Sequence, residues 1–439
     1  MNTIKNTIGS LAYLTLIKKT FRISLYNNAF YLMLNTVITS GLAFLFWDIM
    51  ARHFSHAEVG IGTALISASG LIAAMSTLGL GVGLIRYVPE VGDDVCRLNN
   101  TVFTLTALFA GICALAYLIA IPVLSPALQF VRNNMLLLAA FLMLTIATAL
   151  FIPTDSSLIA GRSSRFVVCK NTLSGILRLP LPVLVFASLG GFGIFAGTGV
   201  AMLIALLVAW LFLMPRVYPG YYPHPSVSRK LLIQIMPFSF SNYLAGLLST
   251  APSYVFPLMI LNVSGPERSA YFYMSYMIAT VLSIIPSGFT QSLFAEGSHE
   301  PGQLGIHGRQ ALVASILLLL PAVLVMFVMG HWILHLFGTA YAENGIGAFH
   351  YLLLSTIPGC LGGFYVTLNQ IKKRVWLIIL QSGFSGASLL GFGYWLLKTH
   401  GLTGLGLAFI ISNGVIALII AWPLWNDLKA DRDAAILSR

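Results

Sequence analysis

The chain has 439 residues, of which 58% are hydrophobic and only 8% charged, against about 25% charged in soluble domains. Its mean hydropathy is +0.88, and too few polar residues are present to cover a globular surface. That excludes a soluble enzyme, a disordered protein and a nucleic-acid-binding domain, and the surplus of 24 Lys and Arg over 13 Asp and Glu reads as a membrane-orientation signal.

The first segment, residues 1–24, holds a short apolar run closed by Lys18 and Lys19 without a trustworthy cleavage site. It reads as an interfacial helix on the cytosolic side. Beyond it, apolar runs near the length needed to cross a bilayer recur along the whole chain. The expected spans are 28–50, 59–85, 101–123, 135–159, 167–189 and 193–214, then 232–261, 269–293, 311–337, 346–368, 375–397 and 402–424. They are too long and too uniformly apolar for barrel strands, so twelve helices are predicted. A loop rich in Tyr, Pro and Gly at 215–230 reads as a linker between two bundles, 25–214 and 231–426, with a tail at 427–439.

Placing the N-terminus inside assigns nineteen Lys and Arg to inner segments, Lys170 among them, and four to outer ones. That asymmetry predicts a plasma (inner) membrane protein with both termini in the cytosol. Four cysteines, Cys96, Cys113, Cys169 and Cys360, make neither a disulfide framework nor a paired metal spacing. His331 and His335 have metal-compatible spacing but no third ligand. No phosphate-binding loop for a nucleotide occurs.

The two halves echo each other at an offset of roughly 206 to 212 residues. Ser55 to Glu58 matches Ser264 to Glu267, Arg165 matches Arg374, and Gly190 and Gly193 match Gly401 and Gly404. Six spans per half make the repeat parallel, related by an axis along the membrane normal, which is an arrangement of alternating-access transporters. Pro180, Pro182, Pro252, Pro257, Pro286, Pro321 and Pro358 lie inside expected spans and are candidates to bend them.

One segment is more specific. Arg52, Glu58 and Gly60 follow the first span, and Leu78, Gly79, Arg86, Tyr87, Pro89 and Glu90 close the second. This pattern resembles the polysaccharide transporter branch of the multidrug/oligosaccharidyl-lipid/polysaccharide (MOP) exporter superfamily, the O-antigen-type oligosaccharide flippases. The resemblance implies an all-α, V-shaped pair of six-helix bundles. It implies a transporter rather than an enzyme, one that moves a lipid-linked oligosaccharide from the cytosolic to the outer leaflet for surface polysaccharide biosynthesis. Its partners would be that substrate, the bilayer and polysaccharide polymerase or assembly proteins. Lipid II flippases of the superfamily usually carry two further helices, so a peptidoglycan-precursor role is not expected.

Hiding a pyrophosphate head from hydrocarbon calls for cations in a wet cleft. Arg178, near mid-depth of the fifth span, is the first candidate; its other reading is an ion pair with Asp155 of the fourth. Arg86 guards an inner mouth or pairs with Glu90. Arg52 and Asp48 are four apart and form a salt bridge or an outer gate. Asn35, Asn242 and Gln291 are candidates to bind sugar, or to join helices. Asp48 and Asp155 are candidates for a coupling ion, Na⁺ or H⁺, and no other cofactor is expected. The main alternative is a drug/cation antiporter of the same superfamily, which needs an acidic cleft. A major-facilitator transporter fits the charges after the second span poorly, and a glycan polymerase needs a larger outer loop than this chain has.

Overall fold

The structure, a computed structural model, describes residues 24–299 and 304–437; the expected interfacial helix lies outside the described residues. All elements among the described residues are helical. Eleven helical segments are long and apolar enough to cross a membrane. The last of them, Val375–Lys429, has 55 residues, about 80 Å of helix and enough for two passes. It divides at Gly401, where φ is 62° and ψ is −145°. The expected twelve spans are therefore present.

In chain order the first span is Ser24–His53. The second is His56–Ser76 continued by Leu80–Tyr87. Val95–Leu124 and Met135–Ala160 are the third and fourth. Ser164–Leu177 with Leu181–Leu184 forms the fifth, and Gly191–Val208 starts the sixth. Arg229–Ser264 is the seventh. Pro266–Thr280 and Ile284–His299 form the eighth. Leu304–His335 and Thr339–Ile371 are the ninth and tenth.

Local chemistry explains the boundaries. Ser55 and Glu58 form a reciprocal capping box that starts the second span. Asn134 Oδ1 accepts from Leu136 N at 3.0 Å and starts the fourth. The fifth span breaks at Pro180 and the eighth just before Pro286, because proline removes a ladder donor. Pro252, Pro257, Pro321 and Pro358 are instead carried within continuous helices.

The repeat extends to backbone angles. Gly190 has φ 55° and ψ −132°, close to the values of Gly401. A Cβ on Gly193 would strike the carbonyl of Phe186, and one on Gly404 that of Leu396. Arg162 and Lys373 both have positive φ, 53° and 56°, two residues before the fifth and eleventh spans. Equivalent turns thus use equivalent conformations in both halves.

The bundles meet chiefly through the second span, against which the seventh and eighth pack. Gly79, at φ 69°, ends the first part of that span where a Cβ would strike the carbonyl of Ser239 in the seventh. Gly83 faces the Ser239 hydroxyl. These two glycines act as the small-residue contact that their spacing predicts. Where the first span ends, aromatic rings close the gap between bundles. Phe44 meets Phe337 at 5.2 Å, Trp47 meets Tyr273 at 4.8 Å, and His56 lies 5.1 Å from Tyr341. We call this the sealed end and the opposite one the basic end. At the basic end the loop after the sixth span is pinned to the third: Ser226 N donates to Thr104 Oγ1 at 3.0 Å and Ser228 N to Thr101 Oγ1 at 3.1 Å. Burial pushes the phenol of Tyr221 in this loop above its usual range.

The Gly401 hinge is testable because a Cβ there meets no atom within 4 Å, so only backbone strain is added. Gly401→Ala is expected to lower stability by about 1–3 kcal/mol. Gly414→Ala, inside the helix and equally unobstructed, is expected to be neutral or to gain up to about 1 kcal/mol. Thermal unfolding in detergent compares them, and equal melting temperatures would remove the special role of Gly401.

Candidate functional site

The first, fourth and fifth spans bring together four polar side chains. Lys170 Nζ lies 3.1 Å from Asp155 Oδ1. It also donates to the carbonyl of Phe151 at 3.3 Å and sits over that residue's ring. Lys170 is fully buried, while Asp155 keeps 21% of its side chain exposed. Asn171 Nδ2 bridges the group, donating to Asp155 Oδ2 at 3.2 Å and to Asn35 Oδ1 at 3.1 Å. An ammonium at that depth is tolerated only because a carboxylate and a carbonyl face it.

This arrangement corrects two expectations. Lys170 is not a loop residue, so the inner tally of basic residues falls from nineteen to eighteen. Nor does Asp155 pair with Arg178. The turn between the fourth and fifth spans centres on 162–163, and Asp155 and Lys170 stand nearly equal distances from it. Arg178 lies about eight residues deeper than Asp155, roughly 12 Å along the helix, too far to pair.

Arg178 instead caps the first part of the fifth span. Its guanidinium stands 5.1 Å from the centroid of the Phe46 ring. Its Nε is buried without a hydrogen-bond partner, and no carboxylate lies within ion-pair distance of it among the described residues. Tyr273 of the eighth span is near enough to act on it electrostatically. Arg178 therefore sits where the first, fifth and eighth spans converge beneath the aromatic seal.

The remaining candidates scatter. Asp48 and Arg52 form the i,i+4 pair at 3.0 Å, and Arg52 Nη2 also donates to the carbonyl of Leu336 at 2.9 Å. They strap the first span to the end of the ninth, across the bundles, rather than lining a central space. Arg86 is exposed at the basic end, 5.5 Å from the Tyr87 ring. The Asn242 side chain lies outside the described residues. Gln291 is exposed on the eighth span. It continues a stripe at helical spacing with the exposed residues Thr280 and Ser287. Sequence reasoning missed Asn171 and misplaced Lys170. The signal available was the hairpin geometry itself, opposite charges equidistant from one turn.

Among the described residues no cluster of three or more His, Cys, Asp or Glu is placed to hold a metal. The rings of His331 and His335 are 6.3 Å apart.

Residues 25–295 match the family described as polysaccharide biosynthesis protein. No curated protein matches the chain. The fold resembles an inward-facing multidrug resistance MATE family transporter of the MOP superfamily, with TM-score 0.70 at 16% identity over 91% of this chain and 99% of that one. An outward-facing structure of such a transporter gives 0.61 at 15% identity, over 93% and 96%. A MOP superfamily transporter from Pyrococcus furiosus, described as having a binding pocket of reversed polarity that suggests a different function, gives 0.59 at 13% identity, over 94% and 96%.

Breaking the buried pair on one side should be costly. Lys170→Met is expected to destabilise the protein by about 3–5 kcal/mol, because it leaves an uncompensated carboxylate. Lys170→Met combined with Asp155→Leu should recover most of that loss in thermal unfolding. A double variant as unstable as the single one would mean the pair is not the cause.

Proposed function

The chain belongs to the family of polysaccharide biosynthesis proteins, and on that footing we propose that it flips a lipid-linked oligosaccharide from the cytosolic to the outer leaflet by alternating access. The observation that carries this reading is Arg178. It is a partly buried guanidinium, without a carboxylate, at the convergence of the two bundles. Its planar fork matches phosphate oxygens, so a pyrophosphate linkage supplies the counter-charge the protein withholds. The lipid tails stay in the bilayer while the head enters the space between bundles.

Eighteen basic residues in the segments expected inside against four in those expected outside support an inner-membrane protein with cytosolic termini. The basic end then faces the cytosol and receives substrate made there. A polymerase or other assembly protein would take the glycan on the far side.

The antiporter alternative calls for an acidic cleft. Lys170 neutralises Asp155, and Arg52 neutralises Asp48 at the sealed end. Of the two, Asp155 is the better coupling carboxylate. Taking up H⁺ there, or admitting Na⁺, would release Lys170 and loosen the tie among the first, fourth and fifth spans.

Replacing Arg178 tests the reading. Arg178→Ala is expected to lower surface glycan at least about tenfold, the loss of roughly 1.4 kcal/mol or more in substrate binding, while membrane protein levels stay unchanged. Arg178→Lys should retain part of the export, since charge survives without the fork. Surface glycan at wild-type level in Arg178→Ala cells would sink the phosphate role.

A further inference from the structure

A cavity of 380 Å³ lies between the eighth, tenth and twelfth spans, wholly within the C-terminal bundle. It falls within the size range of small-molecule sites. The eighth span contributes Thr280, Ser283, Ser287 and Thr290, the tenth Ser355 and Thr356, and the twelfth Asn413. No charged residue lines it.

The serine and threonine hydroxyls are already committed as donors. Thr280 Oγ1 donates to the carbonyl of Met277 at 2.7 Å, Ser287 Oγ to Ser283 at 2.6 Å, and Thr290 Oγ1 to Ser287 at 3.1 Å. Ser355 and Thr356 donate to Leu352 and Leu353 in the same way, at 2.7 and 2.6 Å. A hydroxyl has one hydrogen and two lone pairs. What these hydroxyls offer the cavity is therefore acceptor capacity, beside the one amide hydrogen that Asn413, bonded to the Ser355 carbonyl at 3.3 Å, has left. An ionised phosphate, itself only an acceptor, is poorly served there. An organic cation finds no carboxylate. A molecule rich in O–H donors and without charge fits.

Shape agrees with that chemistry. One wall is formed by Tyr276 and Phe409, with ring centroids 5.7 Å apart and planes tilted by 49°. The negative faces of such rings attract C–H groups, which the flat side of a sugar ring presents. Tyr276 stands three residues after Tyr273, the neighbour of Arg178, on the same helix. The cavity thus opens about one helical turn, roughly 5 Å, from the residue beside the proposed phosphate site.

We propose that this cavity is a subsite for an uncharged sugar of the transported glycan, distinct from the place that holds its phosphate. This rests on the export reading, and the test keeps the two apart. In purified full-length protein in nanodiscs, with Cys96, Cys113, Cys169 and the cavity-lining Cys360 replaced by alanine, Ser287→Cys places a single thiol in the cavity for maleimide labelling. A panel of lipid-free, phosphate-free neutral mono- to trisaccharides is expected to include at least one that slows labelling at millimolar concentration. Sodium pyrophosphate should not slow it, and Arg178→Ala should leave the protection intact.

In the Ser287→Cys background, Thr280→Val keeps the shape but removes an acceptor. It is expected to weaken protection at least about threefold, equivalent to about 0.65 kcal/mol or more. Gly363→Leu fills the cavity, since the nearest atom to a Cβ there is 4.0 Å away, and should abolish protection. Protection by pyrophosphate or by Na⁺ alone, or no protection by any neutral saccharide in a folded protein, overturns the subsite. Loss of export in Arg178→Ala without sugar protection would leave the export reading standing and the subsite refuted. Sugar protection with normal export in Arg178→Ala would do the reverse for the phosphate role.

Discussion

A polar group inside hydrocarbon must find a partner within the protein, and this constraint organises nearly everything seen here. It forces the backbone into helices. It turns serine and threonine hydroxyls back onto the carbonyls of their own helices, as at Thr148, Thr198 and Thr367. It places Lys170 against Asp155 and Phe151. Other buried groups, Thr106 and Thr145 among them, also lack a partner, but Arg178 stands out because its unpartnered Nε belongs to a charged group that no carboxylate among the described residues meets. In a membrane protein such a departure is costly, and a ligand's charge is the natural way to meet it.

The same constraint separates two kinds of interface. Between bundles, contact is concentrated where backbones come close without side chains, as at Gly79 and Gly83, or where rings interlock, as at Phe44, Trp47 and His56. Rings and glycines carry no buried charges that must be paired before they part. The Arg52 hydrogen bond to Leu336 is likewise exposed, and an exposed bond can be exchanged for water. A joint of this composition suits two bodies that rock against each other.

Chemistry is divided between the halves. The N-terminal bundle holds the ionic groups set deep in its spans, Asp155, Lys170 and Arg178, whereas the ion pairs of the C-terminal bundle, Lys372 and Arg374 with Asp427, lie at helix ends. The C-terminal bundle holds a cavity with hydroxyls and rings and no charge. The two halves share their turn geometry at Gly190 and Gly401, yet carry different polar groups. A substrate with a phosphate part and a sugar part could use both.

Span number, the parallel repeat, the glycine turns and the family were legible in the chain, because each depends on runs and spacings that hydrocarbon thickness and backbone sterics impose locally. The Asp48 and Arg52 pair was legible for the same reason, being four apart on one helix. The depth of Lys170 was half legible: it fell within the expected span 167–189 and the symmetry about residues 162–163 was there, but the charge count assigned it to the inner segments. Asn171 could not be singled out, since a lone amide in a helix says nothing of what faces it. Nor could the C-terminal cavity, whose walls come from residues up to 137 positions apart, Tyr276 and Asn413. By itself the sequence determined which segments cross the membrane and how they turn, since those are local balances of apolar length and backbone freedom. Which polar groups meet was decided only by the tertiary structure, because partners in hydrocarbon are chosen by depth and facing direction, and both depend on how separate helices pack.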